Sequence, residues 1–299
     1  MGGEPTLYKG LNNLITYAKE QGLGVGMVTN GRRLADKRYM DSLLESGIDG
    51  LTISIHGSNQ DIHENTTNSE GSFEQTVQGI KNYSQTGKKV STSTTISENN
   101  IHDLEDIVKF LAGIGVKSIG FTTCAKSPGT NPDIKAINPR IAAKLIEKLY
   151  ILGKEEGAEV RSVTPLPLCN IDEKIREEML SKGVLNYSCQ MHHGSGVAID
   201  PDGSILPCVH WSNYPLGSVL KEEGAVLNAE EFYKFWNEKE LLPARFRESL
   251  WRYPSSSCKN SKYWGECIGG CPSFWTDFDP EKEIKGLQTR TSQWNRIIE

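Results

Sequence analysis

The sequence has 299 residues, of which 37% are hydrophobic and 24% are charged, and its formal net charge at pH 7 is −5. This length can bury a sizeable core in one large domain or two ordinary ones. The negative charge argues against a nucleic-acid partner, and no apolar run is long enough to cross a membrane. Because the N-terminal residues lack the basic and apolar segments of a signal peptide, we expect a cytoplasmic protein.

The first half alternates between helical and strand-like apolar patterns. Helical spacing of apolar residues falls in four segments, at 7–18, 39–44, 73–80 and 101–111. A short strand-like run follows each of these segments, at 24–31, 50–57, 88–97 and 117–124. The regular alternation predicts an α/β fold in which helices cover parallel strands, wound into part of a barrel or an open sheet.

Parallel strands place their carboxyl ends at one rim, where ligands of such folds bind. The residue pairs predicted at this rim are Thr29 and Asn30, Ser54 and His56, Thr94 and Thr95, and Thr123 and Cys124. Side chains alternate between the two faces of a strand, so at most one of Thr94 and Thr95 faces the site. Cys124 is expected to be a buried thiol, and the acidic residues at 61, 64 and 70 are expected in a solvated loop.

The pattern changes after a long helix predicted at 139–157. The run GVAIDPDGSILPC, which ends at Cys208, contains two short strands around an Asp-Gly turn and predicts a β-hairpin. The remainder is rich in loops, with one helix predicted at 229–238. We therefore expect two domains, residues 1–157 and residues 158–299.

Six of the seven cysteines lie in the second part, and Cys124 lies in the first. The six are Cys169, Cys189, Cys208, Cys258, Cys267 and Cys271. In a reducing compartment such clustering indicates a metal before disulfides. A [4Fe–4S] cluster needs four thiolates from loops, and the pair Gly269-Gly270 could turn the chain so that Cys267 and Cys271 face one centre. Zinc is the alternative, with His192, His193 and His210 nearby in the sequence.

The opening Gly2-Gly3-Glu4-Pro5 resembles the GGEP motif of radical S-adenosylmethionine (SAM) enzymes. The helix after it, VTNG, TISIHG, DIHE, GSFE and FTTC follow in the order of that family's barrel. The resemblance covers residues 1 to about 125. It implies that Gly2, Gly3 and Glu4 contact the amino group of SAM. Ser54 and His56, at the end of the second strand, are candidates to meet the SAM ribose, with a helix-facing or turn role as the alternative.

The second part resembles the SPASM/twitch extension of the same superfamily, which holds auxiliary iron–sulfur clusters. Cys189, Gly203 and Cys208 match the spacing of its first element. In its second element Cys258, Cys267 and Cys271 match, but Ser261 stands where the family has a cysteine, and the final downstream cysteine is missing. The resemblance implies one auxiliary [4Fe–4S] cluster rather than two. Its ligands would be Cys189, Cys208, Cys271 and one upstream cysteine, for which Cys169 is the candidate; alternatively Cys258 or Cys267 replaces Cys169.

The CxxxCxxC loop that holds the SAM-cleaving cluster of this family does not occur in the 299 residues. The resemblance therefore implies a partial (β/α) barrel without its first strands, followed by a small loop-rich β-hairpin domain. In full-length form it implies an enzyme that uses SAM, and an N-terminal [4Fe–4S] cluster, to make a 5′-deoxyadenosyl radical; the present chain alone is expected to be inactive.

The resemblance implies a peptide or small protein as substrate and a flavodoxin-type protein as electron donor. A carbohydrate-oxidising enzyme is the nearest alternative in the class. A non-catalytic iron–sulfur protein and a zinc-stapled module, either binding a peptide or partner, are alternatives from other classes. The residues indicate no catalytic side chain, and they leave the substrate and the oligomeric state open.

Overall fold

The computed structural model describes residues 3–126, 133–221 and 224–284. Its main sheet has five parallel strands in the spatial order β1-β2-β3-β4-β5. They are β1 Gly26–Thr29, β2 Gly50–Ser54, β3 Ser91–Ile96, β4 Ser118–Thr123 and β5 Glu159–Ser162. Since each strand pairs in parallel with the next one in the chain, helical connections return the chain across the sheet.

The helices that accompany this sheet are α1 Leu11–Glu20, α2 Lys37–Glu45, α3 Gln60–Thr67, α4 Ser72–Ser84, α5 Leu104–Gly113 and α6 Pro139–Glu155. Several begin at a side-chain cap that satisfies the first free N–H groups. Asp36 caps α2, and the Asn138 side chain accepts hydrogen bonds from two N–H groups at the start of α6. Hydrogen bonds from the caps therefore determine where these helices begin.

One face of the sheet packs against the helices and forms the main core. Its fully buried side chains include Ile53, Ile55, Ile96, Phe121 and Val160. The other face alternates with it and carries half-buried polar residues, namely Ser54, Ser93, Thr95 and Thr122. Strand pairing places Ser54 beside Ser93, and Thr95 beside Thr122. The sheet thus has an apolar face toward the helices and a polar face on the opposite side, which we call the polar face.

Three features of this region differ from the sequence-based expectation. The segment at 60–67 is helix α3 rather than a solvated loop, because Asn59 caps it at Ile62 N. Strand β1, which the apolar run at 24–31 predicts as a buried strand, is mostly exposed, with Val28 61% exposed, because it is the edge strand of the described sheet. Leu7 lies in a short 3₁₀ turn, Pro5–Leu7, ahead of α1 instead of on the buried face of that helix.

The predicted domain boundary at residue 158 falls directly before β5. This strand pairs with β4 and extends the first sheet to Ser162. We therefore divide the described chain into a sheet region, residues 3–164, and a cysteine region, residues 165–284.

The cysteine region contains helices α7 Glu173–Ser181, α8 Gln190–His193, α9 Ala229–Asn237, α10 Leu242–Ser249 and α11 Pro280–Glu283. Its antiparallel sheet consists of β6 Ala198–Ile199, β7 Ser204–Leu206 and β8 Gly217–Ser218. A small separate core is formed by Met191, Ile205, Leu216 and Trp236. Cys267 and Phe274 instead join the main core, so the two regions pack together. Among the described residues, no helix is long and apolar enough to span a bilayer.

Candidate functional site

The Glu4 carboxylate lies at the carboxyl end of β1, where the sequence predicted a SAM contact. Its Oε1 atom accepts hydrogen bonds from Thr29 Oγ1 at 2.6 Å and from Thr6 Oγ1 at 2.8 Å. Its Oε2 atom accepts from Asn30 N at 2.7 Å. A carboxylate has about four acceptor positions, so Oε2 keeps capacity for a further donor. The chain therefore fixes the orientation of Glu4 at the rim and leaves the half-buried carboxylate open to a cation.

The other two members of the GGEP motif contribute less. Gly3 is exposed, and no atom lies within 4 Å of the position that a Cβ would occupy there. Gly2 lies outside the described residues.

His56 follows β2 and is held at the rim by two hydrogen bonds. Its Nδ1 atom accepts from Thr95 N at 3.2 Å, and its own backbone N–H donates to His63 Nδ1 at 3.1 Å. In a neutral ring this arrangement places the proton of His56 on Nε2. Burial lowers the pKa of His56. His56 therefore serves as a neutral hydrogen-bond donor of fixed orientation.

His63 is almost fully buried beneath this rim. Burial, reinforced by the nearby His56 ring, lowers the pKa of His63 to about 4. Its ring stacks on that of His56, with centroids 6.1 Å apart. The pair is therefore uncharged at neutral pH, which keeps the wall of the site free of competing cations.

Asn100, which the sequence did not indicate, ties two strand ends together. Its Nδ2 group donates to His56 O at 3.0 Å and to Thr95 O at 2.9 Å. Its Oδ1 atom accepts from Ser97 N at 2.9 Å, so this fully buried amide has its polar atoms satisfied. We call Asn100 the rim staple. It fixes the spacing between β2 and β3 at the point where the predicted ligand contacts lie.

The remaining rim predictions separate by face. Thr94 is buried toward the helices, where its hydroxyl donates to Ile55 O at 2.7 Å, whereas Thr95 lies on the polar face. This confirms that only one of the two faces the site. Cys124 is half-buried, and burial raises the pKa of its thiol. Ser93 and Thr122 were missed, although the continuous Ser/Thr run of β3 indicates a strand with one polar face.

The six cysteines of the cysteine region fall into two groups. The first group consists of Cys189, Cys208 and Cys271. Burial raises the pKa of Cys271 to about 11, with smaller contributions from the nearby Cys208 and Cys189. Burial and Cys189 also raise the pKa of Cys208. Loss of these protons at neutral pH therefore requires a compensating positive charge such as a bound metal.

Cys169, Cys258 and Cys267 form the second group, around a small cavity of about 20 Å³. Burial, with a contribution from Cys267, raises the pKa of Cys258 to about 11. Cys169 lines the same cavity as Cys258 and Cys267. Cys267 and Cys271 lie in different groups, whereas the sequence predicts that both face one centre.

Within the described ranges, no three His, Cys, Asp or Glu side chains converge as the ligands of a single metal ion do. In a four-iron cluster each thiolate binds a separate iron, so thiols arranged around a space fit that group better than thiols at a point. Of the nearby histidines, His192 is buried with both ring nitrogens lacking a described partner, and it packs on Trp251 at 4.3 Å between ring centroids.

Residues 1–111 match the sequence profile of the Radical SAM superfamily. The Fe-coproporphyrin III synthase of Methanosarcina barkeri is 25% identical over 284 residues, which cover 90% of this chain and 69% of that protein. Mycofactocin maturase MftC of Mycolicibacterium smegmatis is 25% identical over 276 residues, which cover 90% of this chain and 64% of that protein.

Among solved structures, SuiB of Streptococcus suis bound to precursor peptide SuiA matches with a TM-score of 0.67 at 18% identity. The match covers 95% of this chain and 63% of SuiB. At this identity the likeness shows the fold alone.

The first 111 residues are therefore similar to the domain of the Radical SAM superfamily. Along 90% of its length the chain is similar to the Fe-coproporphyrin III synthase and to the maturase MftC, and it spans about two thirds of the length of these relatives.

Proposed function

We propose that this chain binds SAM at the carboxyl ends of its parallel strands, as part of a radical SAM enzyme that modifies a peptide or small protein. The observation that carries the proposal is the Glu4 carboxylate, oriented by Thr29 and Asn30 at the rim of a domain that matches the superfamily. The relationship to the maturase MftC supports a peptide substrate.

The chain's own residues have separate tasks in this proposal. The free acceptor capacity of Glu4 suits the ammonium group of SAM, since charge-assisted hydrogen bonds are the strong ones. The Nε2–H group of His56 suits a ribose oxygen, and Ser54 offers a hydroxyl beside it on the polar face. A [4Fe–4S] cluster bound to the full-length enzyme would supply the single electron for reductive cleavage of SAM into methionine and a 5′-deoxyadenosyl radical, while the residues of this chain would bind and orient SAM.

We further propose that the first cysteine group holds an auxiliary [4Fe–4S] cluster. Cys189, Cys208 and Cys271 supply three thiolates from three separate loops, and their mutual repulsion favours a cation between them. The fourth ligand in this proposal is Cys169, or alternatively Cys258 or Cys267, which line a common cavity.

SAM binding tests the proposal directly. Replacing Glu4→Gln removes the negative charge and should weaken SAM binding by at least tenfold, measured by isothermal titration calorimetry on the 299-residue chain. Glu98→Gln, an exposed carboxylate that pairs with Lys135, is the matched control and should leave affinity unchanged. Equal affinities for Glu4→Gln and the parent chain, with unchanged circular dichroism, would rule out Glu4 as a SAM ligand.

The chain contains no CxxxCxxC motif, and we therefore expect it to cleave no SAM by itself. Reconstituted with iron and sulfide and reduced with dithionite, it should yield no 5′-deoxyadenosine above a protein-free control in liquid chromatography. Sustained production would contradict this expectation and assign SAM cleavage to one of the two cysteine groups. Binding without cleavage, together with metal at the first group, remains consistent with the proposal.

A tetrapyrrole substrate is the second candidate, because the related protein of Methanosarcina barkeri is an Fe-coproporphyrin III synthase. Titration with Fe-coproporphyrin III, followed by its absorption band, separates the two. A saturable spectral shift at micromolar concentration would favour the tetrapyrrole, whereas no shift would favour the peptide. A non-catalytic partner-binding protein predicts neither this shift nor binding of SAM.

A further inference from the structure

An open groove of about 700 Å³ runs along helix α10 and the turn that follows it in the cysteine region. Its lining includes two cations, Arg245 and Arg252, and one acid, Glu248. Sites for small ligands occupy about 300–1,000 Å³, so the groove has the size of a binding site. Its apolar lining consists of Leu216, Leu242, Phe246 and Trp251.

The positive charge at this groove has no counterpart in the described part of the chain. There, neither Arg245 nor Arg252 forms an ion pair or a side-chain hydrogen bond, and Glu248 pairs with neither. Arg247 of the same helix donates through Nη2 to Trp236 O, and its buried Nη1 atom has no partner among the described residues. Positions 242–253 thus carry three arginines and one glutamate, in a chain of net charge −5. This local reversal of charge favours an anionic partner.

The aromatic walls of the groove are supported from behind by other rings. Phe246 packs edge-on against Trp211, with ring centroids 5.8 Å apart. Trp251 packs on His192, with ring centroids 4.3 Å apart, and His192 is only 3% exposed. Because both walls are already fixed by packing, a ligand would lose little affinity to the ordering of side chains.

A solvated helix face is the alternative explanation for this surface, because single exposed apolar residues are common. Here, however, Leu242 is 56% exposed and Trp251 is 48% exposed, and both line one groove together with the unpaired guanidinium groups. Tryptophan and arginine are enriched among the residues that contribute most to binding at protein interfaces. A guanidinium group also matches a carboxylate through two parallel hydrogen bonds. The combination indicates a partner that carries carboxylates beside apolar side chains.

We propose that this groove docks a peptide segment that carries acidic and apolar side chains. Its carboxylates would bind Arg245 and Arg252, and its apolar side chains would pack on Leu242, Phe246 and Trp251. The lining includes none of the proposed SAM contacts, so the docked segment is not the part of the peptide that is modified. The inference rests on the proposed function for its peptide partner, but its test contains neither SAM nor metal, so the two proposals can fail separately.

Fluorescence anisotropy on the 299-residue chain tests the groove with a short fluorescein-labelled peptide of glutamate, leucine and phenylalanine. Binding should be saturable and should weaken as ionic strength rises, because salt screens exposed charges. Arg245→Gln/Arg252→Gln should weaken binding at least tenfold. Arg38→Gln, an exposed arginine of α2, is the matched control and should leave affinity unchanged. Equal affinities for the double variant and the parent chain would overturn the proposal.

Reversal of the charges guards against variants that merely fail to fold. Arg245→Glu/Arg252→Glu should lose the acidic peptide and should instead bind a peptide in which lysine replaces every glutamate. A misfolded chain would not gain this affinity. Failure of the reversed variant to bind the lysine peptide would contradict direct pairing of the two arginines with carboxylates.

The apolar part of the proposal is tested by a peptide in which glycine replaces leucine and phenylalanine. This peptide should bind at least tenfold more weakly, and Trp251→Ala should weaken binding of the original peptide at least fivefold. Equal binding of the two peptides would identify the groove as a site for any anion and would overturn the assignment to an acidic and apolar segment.

Amide hydrogen exchange on the unaltered chain locates the bound peptide. Saturation with the acidic peptide should slow exchange at 242–253 and leave β2 and β3 unchanged. Protection at the carboxyl ends of β2 and β3 alone would place the peptide on the polar face and overturn the proposal. Dimers that form without peptide and are lost in Arg245→Gln/Arg252→Gln, as measured by light scattering, would identify a second copy of the chain as the occupant instead.

Discussion

The sheet region and the cysteine region are stabilised in different ways. In the sheet region a continuous apolar core lies beneath five parallel strands. In the cysteine region the separate core consists of four buried side chains. Both regions contain buried polar atoms without a described partner, so the difference between them lies in the apolar core. It indicates that the second region obtains less stability from a core of its own.

Small loop-rich regions commonly obtain this missing stability from metal, because the free energy of metal binding adds to that of folding. The two cysteine groups are the places where such binding would act. The comparison therefore predicts that the two regions respond differently to the same perturbation, and the following experiments test this in order of the size of the expected effect.

Removal of metal should have the largest effect, and it should be confined to one region. After exhaustive chelation, amide hydrogen exchange should accelerate strongly across 189–278, while amides of β2, β3 and β4 keep their protection, as read by mass spectrometry. Equal loss of protection in both regions would show that they form one cooperative unit. Unchanged protection in the cysteine region would show that metal adds nothing to its stability.

Acidification should destabilise the sheet region through His63. The pKa of His63 in the folded protein is about 4, below its ordinary value of 6.5, so the unfolded chain binds the proton more tightly. Stability from this residue is complete above pH 6.5 and is lost as the pH falls toward 4, by about 3 kcal/mol at most.

Urea unfolding at pH 7 and pH 4.5 measures this loss for the parent chain and for His63→Asn. Asparagine can keep an acceptor for His56 N–H but does not titrate, so the variant should lose less stability between the two pH values. Equal losses in the two proteins would exclude His63 as the titrating group.

Removal of helix caps should have the smallest effects and should again divide by region. Asn138→Ala and Asn228→Ala each remove an N-cap side chain, from α6 and α9 respectively, at an expected cost of about 1 kcal/mol. The cost of Asn138→Ala should appear in the global free energy of unfolding. The cost of Asn228→Ala should appear only as faster local exchange in α9, and a full global cost there would weaken the distinction between regions.

Much of the sheet region was predictable because its information is local. Four strands and their helices follow from apolar periodicity, and the rim position of His56 follows from its place after a strand. Helix α3 was not predicted because its buried position is a single histidine instead of an apolar stripe. Strand β5 was not predicted because four residues are too few to show the alternation of a strand.

The cysteine region was less predictable because its contacts join residues far apart in the sequence. Nothing local to Cys169 reveals that it lies beside Cys258 and Cys267, nor does spacing reveal that Cys267 and Cys271 face different groups. The packing of Gly270 against Pro167 decides this, and a spacing motif does not record it. The rim staple Asn100 was not predicted for the same reason, since its side chain donates hydrogen bonds to two carbonyl groups that follow or belong to different strands.

The turn at Gly269 and Gly270 also has an electrostatic consequence. Cys267 and Cys271 are four residues apart, so their α-carbons are separated by at most about 14 Å even in a fully extended chain. A charge bound at one of the two groups would therefore act on the other through a poorly polarisable interior, so this short turn couples the two cysteine groups electrostatically.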